Sequence, residues 1–136
     1  MASSDSAKKK PVITASFAKQ YDSQGRQYGW VSPEVLFGLS YEFCSPGQSI
    51  LDIGIGTGQS SKLYSKAGLK VFGLDNSKEM IQVCQRKGIA DALHCIDITR
   101  TPYPFPENSF DHVTVCGVFH LIDSIETILS ECKRLL

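Results

Sequence analysis

The chain has 136 residues, 42% of them hydrophobic and 21% charged, with 14 basic residues set against 14 acidic ones. That length fits one domain with an ordinary core, and the composition excludes wholesale disorder and fibrous or low-complexity architecture. A formal net charge of zero gives no basic footprint for nucleic acid or an anionic membrane, so a small molecule is the expected ligand class.

Met1 to Lys10 is polar, ends in three lysines and holds no apolar stretch, so residues 1–12 are expected to be a disordered tail rather than a secretory signal. No run approaches the roughly 18 apolar residues of a membrane span, and the protein is expected to be cytoplasmic. Cysteines at 44, 84, 95, 116 and 132 are odd in number and never in CxxC spacing. They read as buried reduced thiols, not as a disulfide framework or a metal site.

Residues 13–47 read as an N-terminal helical cap. A short helix is expected around Ala15–Tyr21, in a stretch that mixes Phe17, Tyr21, Tyr28 and Trp30 with polar residues. Ser32 before Pro33 has the pattern of an N-cap with proline at the first helical position. The helix it opens runs to about Phe43, with Val35, Leu36, Leu39 and Phe43 on one face, and Pro46-Gly47 closes it.

From residue 48 to 136 short apolar runs alternate with helical periods. Ile50, Leu51 and Ile53 form a strand that runs into Gly54, Gly56 and Gly58. A helix over Gln59–Ala67 is stopped by Gly68, and Val71, Phe72 and Leu74 make a second strand ending at Asp75. Asn76, with Glu79 three residues later, has capping-box spacing for a helix that buries Met80, Ile81, Val83 and Cys84 and stops at Gly88. A third strand covers about Ala92–Ile96, and the proline-rich segment Thr101–Asn108 is a loop. Phe110–Phe119 is nearly continuous in apolar residues, as in a strand buried on both faces of a parallel sheet. Ile125, Ile128, Leu129, Cys132, Leu135 and Leu136 follow at helical spacing. This cadence predicts an open α/β sheet with flanking helices.

The strongest chemical signal is Asp52-Ile53-Gly54-Ile55-Gly56-Thr57-Gly58 at the first strand-to-helix junction. Glycines there let the backbone turn sharply and approach a ligand, with a helix N-terminus behind them. Asp75, 17 residues past Gly58, is placed to accept hydrogen bonds from both hydroxyls of a ribose. A dinucleotide fingerprint would have its third glycine at residue 59, which is Gln59. Asp52 before the turn could take up a cationic amine, and Asp97 after the third strand the exocyclic amine of adenine. An amino-acid-bearing nucleoside carries both groups, and a pyrophosphate carries neither.

Ile50 to Gly58 resembles the glycine motif of class I S-adenosylmethionine-dependent methyltransferases. Gly73-Leu74-Asp75-Asn76-Ser77 with Met80, the stretch around Asp97, the loop Pro104 to Ser109, and Phe110-Asp111 resemble that family's later motifs. Tyr21-Asp22 is similar to a Tyr-Asp pair in its small-molecule branch, which methylates quinones, sterols and similar metabolites. The resemblance covers about residues 17–136. It implies a Rossmann-like sheet of which the first four βα units are present, with S-adenosylmethionine as cofactor and S-adenosylhomocysteine as product. It implies the methionine end of the cofactor over Gly54 and Gly56 near Asp52, with Thr57 and Gly58 completing the turn, and Asp75 on the ribose. Met80, or otherwise Asn76, would meet the adenine, and Asp97 with the Ile98 backbone would read its edge. Cys116 and Gly117 would lie beneath the sulfonium. Tyr21 and Trp30 are placed either to cap the cofactor or to pack the N-terminal helix.

Methyl transfer from a sulfonium is an in-line displacement, for which positioning alone supplies roughly 7–11 kcal/mol. A general base is required only where the acceptor must lose a proton, and His120 is the candidate nearest the expected cleft. No metal is expected. The family's sheet has seven strands and four are expected here, which leaves Val113–Phe119 as an exposed edge. The chain is therefore expected to be incomplete at its C-terminus, or to meet a partner or a second copy along that edge. Two other readings compete: a nicotinamide-dependent oxidoreductase, against which Gln59 and Asp97 speak, and a non-catalytic methyltransferase-like module acting with a partner.

Overall fold

Alternation along two strands builds both faces of the core. In β1 (Ser49–Ile53), Ile50 points to one face while Leu51 and Ile53 point to the other; in β2 (Lys70–Asp75), Val71 joins the first set and Leu74 the second. Against Ile50 and Val71 pack Tyr64 of helix α3 (Ser61–Lys66) and Ile81 and Cys84 of α4 (Lys78–Lys87). Against Leu51, Ile53 and Leu74 pack Tyr103, Phe110, and Ile128 and Leu135 of the last helix, α5 (Glu126–Leu135). Fully burying one such aliphatic side chain is worth about 1.5–3 kcal/mol, so both layers hold the sheet.

The computed structural model describes residues 12–136, so the tail reading for residues 1–12 lies, Val12 apart, outside the described residues. Two further strands, β3 (Ala92–Cys95) and β4 (His112–Thr114), complete a four-stranded sheet of order β3-β2-β1-β4, parallel throughout. Helices α1 (Ala15–Gln27) and α2 (Ser32–Ser40) precede β1. This is the open α/β sheet with flanking helices that the sequence predicts, and the carboxyl ends of its strands share one edge. Among the described residues no helix is long and apolar enough to cross a membrane.

Local chemistry sets the register. The Asp111 carboxylate accepts the Ser49 amide at 2.8 Å and the Ser49 hydroxyl at 3.1 Å, tying the start of β4 to the start of β1. Asp91 does the same for β3, accepting the Val71 amide on its carboxylate at 2.8 Å.

Several elements differ from expectation. Ser32 is the first residue of α2 and Val31 its cap, without a side-chain hydrogen bond; the helix ends at Ser40 and continues as a 3-10 turn over Tyr41–Phe43. It turns Pro33 and Phe37 inward, Phe37 meeting the Tyr64 ring edge-on at 5.1 Å, so Val35, Leu39 and Phe43 stay exposed. Ser77, not Asn76, caps α4, its hydroxyl accepting the Met80 amide at 3.2 Å. Helix α3 begins at Ser61 because the preceding residues belong to the glycine turn.

The expected strand over Phe110–Phe119 shrinks to three residues, half-buried rather than buried on both faces. Its partner β1 ends at Ile53 and turns away, leaving no ladder beyond the Asp52–Thr114 pair. In α5, Glu131 is buried while Leu129, and Leu136 just past the helix end, stay exposed. The cysteines form no disulfide, but only Cys84 is buried, and Cys95 is exposed.

Candidate functional site

After Ile53 the backbone reverses over the end of β2. The amides of Gly54 and Ile55 both donate to the Leu74 carbonyl, at 2.8 and 2.9 Å, and the Gly58 amide closes the turn on the Ile55 carbonyl at 2.9 Å. Gly54 and Gly56 hold left-handed conformations, φ +78° and +55°, that L side chains resist. The two glycines face different surroundings. A Cβ on Gly54 would lie 2.3 Å from Val118 Cγ2, so this glycine permits close packing under the segment after β4. A Cβ on Gly56 would meet nothing within 4 Å. The turn therefore presents an open cradle at Gly56.

Asp75 fixes that cradle from below. Its Oδ2 accepts the Gly56 amide and its Oδ1 the Ser77 amide, each at 2.8 Å. Burial raises the carboxyl above its ordinary range, and those backbone donors work against the rise. Each oxygen retains a second lone pair. Asp52, 2% exposed, accepts the Ser61 hydroxyl at 2.6 Å. Burial first, with the Asp75 charge adding and the Ser61 bond opposing, pushes its carboxyl up to about 7. Two acidic groups in each other's field at the carboxyl ends of adjacent strands favour a cation or a hydroxyl-rich ligand.

Helix α1 covers this end of the sheet. The Asp22 carboxylate accepts Thr57 Oγ1, Gln59 Nε2 and Lys87 Nζ, binding α1 to the turn and to the end of α4. Burial would raise this carboxyl, but the three donors outweigh it and hold Asp22 below the usual carboxylate range. Neighbouring Tyr21 lies in the field of Asp22, Asp75 and Cys116, and burial ahead of these charges raises its phenol. Trp30 packs edge-on against Tyr21, centroids 6.3 Å apart, and its ring lies 3.4 Å from where a Gly117 Cβ would stand.

The structure thus gathers Tyr21, Asp52, Gly54, Gly56, Thr57, Gly58, Asp75, Cys116 and Gly117 at one end of the sheet. Asp97 and Ile98 follow β3 at the same end: Asp97 Oδ1 accepts the Thr99 amide and hydroxyl at 3.0 and 2.6 Å, and the Ile98 carbonyl accepts the Tyr103 hydroxyl at 2.7 Å. Asn76 is exposed beside Asp75, and Met80 is buried behind Ser77. His120 sits exposed on the 3-10 turn Phe119–Leu121, and no hydrogen bond or ion pair of the described residues involves it. Ser61, Gln59 and Lys87 join the site beyond the residues expected from the sequence, where Gln59 stands only as a departure from a glycine pattern. Lys87 carries no local signal, since its partner is 65 residues away.

Residues 51–136 match the family described as a methyltransferase domain. The chain belongs to that family. It is 38% identical over 89 residues to a demethylmenaquinone methyltransferase of Renibacterium salmoninarum, an alignment covering 65% of this chain and 37% of that one. The structure of an S-adenosylmethionine-dependent methyltransferase from Aquifex aeolicus superposes with a TM-score of 0.67 at 24% identity, over 91% of this chain and 68% of that one, and shows the fold. A phosphoethanolamine N-methyltransferase 2 of Haemonchus contortus, in complex with phosphomonomethylethanolamine and S-adenosylhomocysteine, is 30% identical with a TM-score of 0.61, over 68% of this chain and 23% of that one. The chain spans about 37% of the length of the first of these methyltransferase-domain relatives and 52% of a Thermobifida fusca one. The sheet is accordingly the Rossmann-like sheet of the methyltransferase domain, and the matches lend the nicotinamide reading no support.

Proposed function

We propose that this chain is the S-adenosylmethionine-binding part of a methyltransferase that acts on a small molecule. The observation that carries the reading is the Gly56 cradle: a left-handed glycine, open where its Cβ would be, with its amide pinned to a buried acid at the end of β2. Such a surface admits a nucleoside to backbone distance and offers its ribose a carboxylate, and this agrees with the family match over residues 51–136.

When bound, the cofactor supplies a methyl group activated on a sulfonium. The chain's residues bind and orient it. Asp75 accepts the ribose hydroxyls on its remaining lone pairs, while Gly54, Gly56, Thr57 and Gly58 form the wall along the methionine end. The charge of Asp52 favours the cationic amine. Asn76 and Met80 flank the base, and Asp97 with the Ile98 amide reads its edge. Tyr21, with its raised phenol, stays protonated at neutral pH and closes the site with Cys116 and Gly117. Residues 13–47 serve as a cap on the core of residues 48–136. His120 is the residue to substitute where an acceptor must lose a proton.

A small acceptor is supported by the neutral surface and by the acceptors named for two of the relatives. A second copy meeting the β4 edge is the partner this reading adds, measurable by sedimentation. Calorimetric titration with S-adenosylhomocysteine and with NADH tests the proposal. Binding of the first alone is expected, and binding of NADH alone overturns it.

A further inference from the structure

Helix α1 has little apolar attachment to the body it covers. Of its 13 residues only Ala18 is buried, and Phe17 is 40% exposed. A helix this short is marginal alone, and packing of an apolar face normally holds it. Here polar contacts take that part, and they converge on one carboxylate. Asp22 receives Thr57, Gln59 and Lys87. Lys87 completes a triangle, because its Nζ also donates to the Thr57 carbonyl at 2.8 Å. One ammonium therefore joins α1, the glycine turn and the last turn of α4. The side chains of Lys87 and Asp22 are 30% and 22% exposed, so salt screens this pair less than an open surface pair.

The residue beside Asp22 is Tyr21, whose hydroxyl stands in the field of Asp75 and Cys116. Releasing Asp22 would carry Tyr21 away from both. We infer that Lys87 is a positioning residue that holds α1 shut over the glycine turn and thereby sets how long a nucleoside cofactor stays bound. This inference rests on the cofactor reading above. Lys87 acts through its hydrogen bonds to Asp22 and Thr57.

A lysine in the last turn of a helix also stabilises that helix against its own dipole, and the test must separate the two roles. Amide exchange of α1, β1 and α4 is compared without ligand in the wild-type chain, Lys87→Met, Lys87→Arg and Asp22→Asn. Dissociation of S-adenosylhomocysteine is then followed by the fluorescence of Trp30, the single tryptophan. In Lys87→Met, exchange of α1 and the dissociation rate are expected to rise about tenfold, the effect of one charge-assisted hydrogen bond. Amides of β1 should stay as in wild type. Lys87→Arg should restore most of both effects, and Asp22→Asn should imitate Lys87→Met. Exchange that rises equally in α1, β1 and α4 would show a purely structural lysine and overturn the inference, as would α1 exchange within twofold of wild type. A wild-type chain that does not bind S-adenosylhomocysteine defeats the cofactor reading instead, while the ligand-free exchange still decides whether Lys87 holds α1.

Discussion

The Ser61 hydroxyl donates to the Asp52 carboxylate across 2.6 Å, in a place where Asp52 is 2% exposed. One neutral donor does not offset the cost of burying that charge, which is why the carboxyl rises to about 7. The folded state keeps a proton that the unfolded chain, with an ordinary value of 3.8, has already lost. Stability from this group is complete below that ordinary value and is lost as pH rises towards about 7. Asp52→Asn, which keeps an acceptor for Ser61, should remove this dependence and stabilise the ligand-free chain at pH 8 by about 2–4 kcal/mol. Urea unfolding of both proteins at pH 5 and pH 8 measures it, and equal stability at pH 8 would refute it.

The same acid should make ligand binding release protons. A cationic amine brought near Asp52 lowers its pKa, so affinity for S-adenosylhomocysteine should strengthen from pH 6 to pH 8. Titrations in buffers of different ionisation enthalpy should show protons released at pH 6.5. Adenosine, which lacks the amine, should release none, and the Asp52→Asn protein should release none with either ligand.

Gly54 and Gly56 should respond differently to the same methyl group. Gly54→Ala meets Val118 Cγ2 at 2.3 Å and should destabilise the fold by about 3 kcal/mol or more. Gly56→Ala has room in the protein, so only left-handed strain of about 1–2 kcal/mol opposes it. It should nonetheless weaken S-adenosylhomocysteine binding more than tenfold, because the methyl stands where the ligand would lie. Thermal melts and titrations of both variants check the contrast.

Asp75 supports the turn and offers acceptors to a ligand, so Asp75→Ala should lose on both counts. Each charge-assisted hydrogen bond contributes about 1.5–3 kcal/mol. Affinity for S-adenosylhomocysteine should fall by tens-fold or more at a temperature where the variant is still folded. Unchanged affinity would remove Asp75 from the site.

Glu131 carries the proline-rich loop. It accepts the Tyr103 amide at 2.9 Å and Arg134 Nε and Nη2 at 2.7 and 2.8 Å, while Arg134 also donates to the Phe105 carbonyl at 2.9 Å. The Arg134 bond, against the pull of burial, holds Glu131 below the usual carboxylate range, so its contribution is lost as pH falls through that lowered value. Glu131→Ala leaves a buried amide unpaired and should cost about 2–3 kcal/mol, after discounting the part of Arg134 that reaches solvent. Urea unfolding at pH 7 measures the loss, and Glu131→Gln should lose less.

What the sequence disclosed was whatever it encodes locally. Apolar alternation and the spacing of Gly54, Gly56 and Gly58 locate β1, β2, the turn and Asp75 from local pattern alone. What it concealed depended on distant partners. The length of β4 is decided by where β1 turns away, which nothing in Phe110–Phe119 records. The inward face of α2 is set by Pro33, which is buried, and by Phe37, which meets Tyr64, rather than by the larger apolar set. Glu131 interrupts the apolar stripe of α5, and its partner Tyr103, 28 residues away, leaves no local sign of why a carboxylate is buried there. Asp22 stands in the sequence only as half of a Tyr-Asp pair, because its hold on α4 depends on Lys87, 65 residues away.

The last turn of α5 leaves carbonyls that its own helix cannot satisfy. Those of Arg134 and Leu135 accept the amides of Asn108 and Phe110, at 3.0 and 3.1 Å, where the chain enters β4. The segment that delivers the fourth strand to the sheet is thus capped onto a helix made later in the chain. During synthesis, the approach to β4 has its native hydrogen-bond acceptors only once the ten residues of α5 have emerged and coiled. The approach to the strand and the end of the helix therefore stand or fall together: fraying the last turn of α5 frees the amides of Asn108 and Phe110 at once.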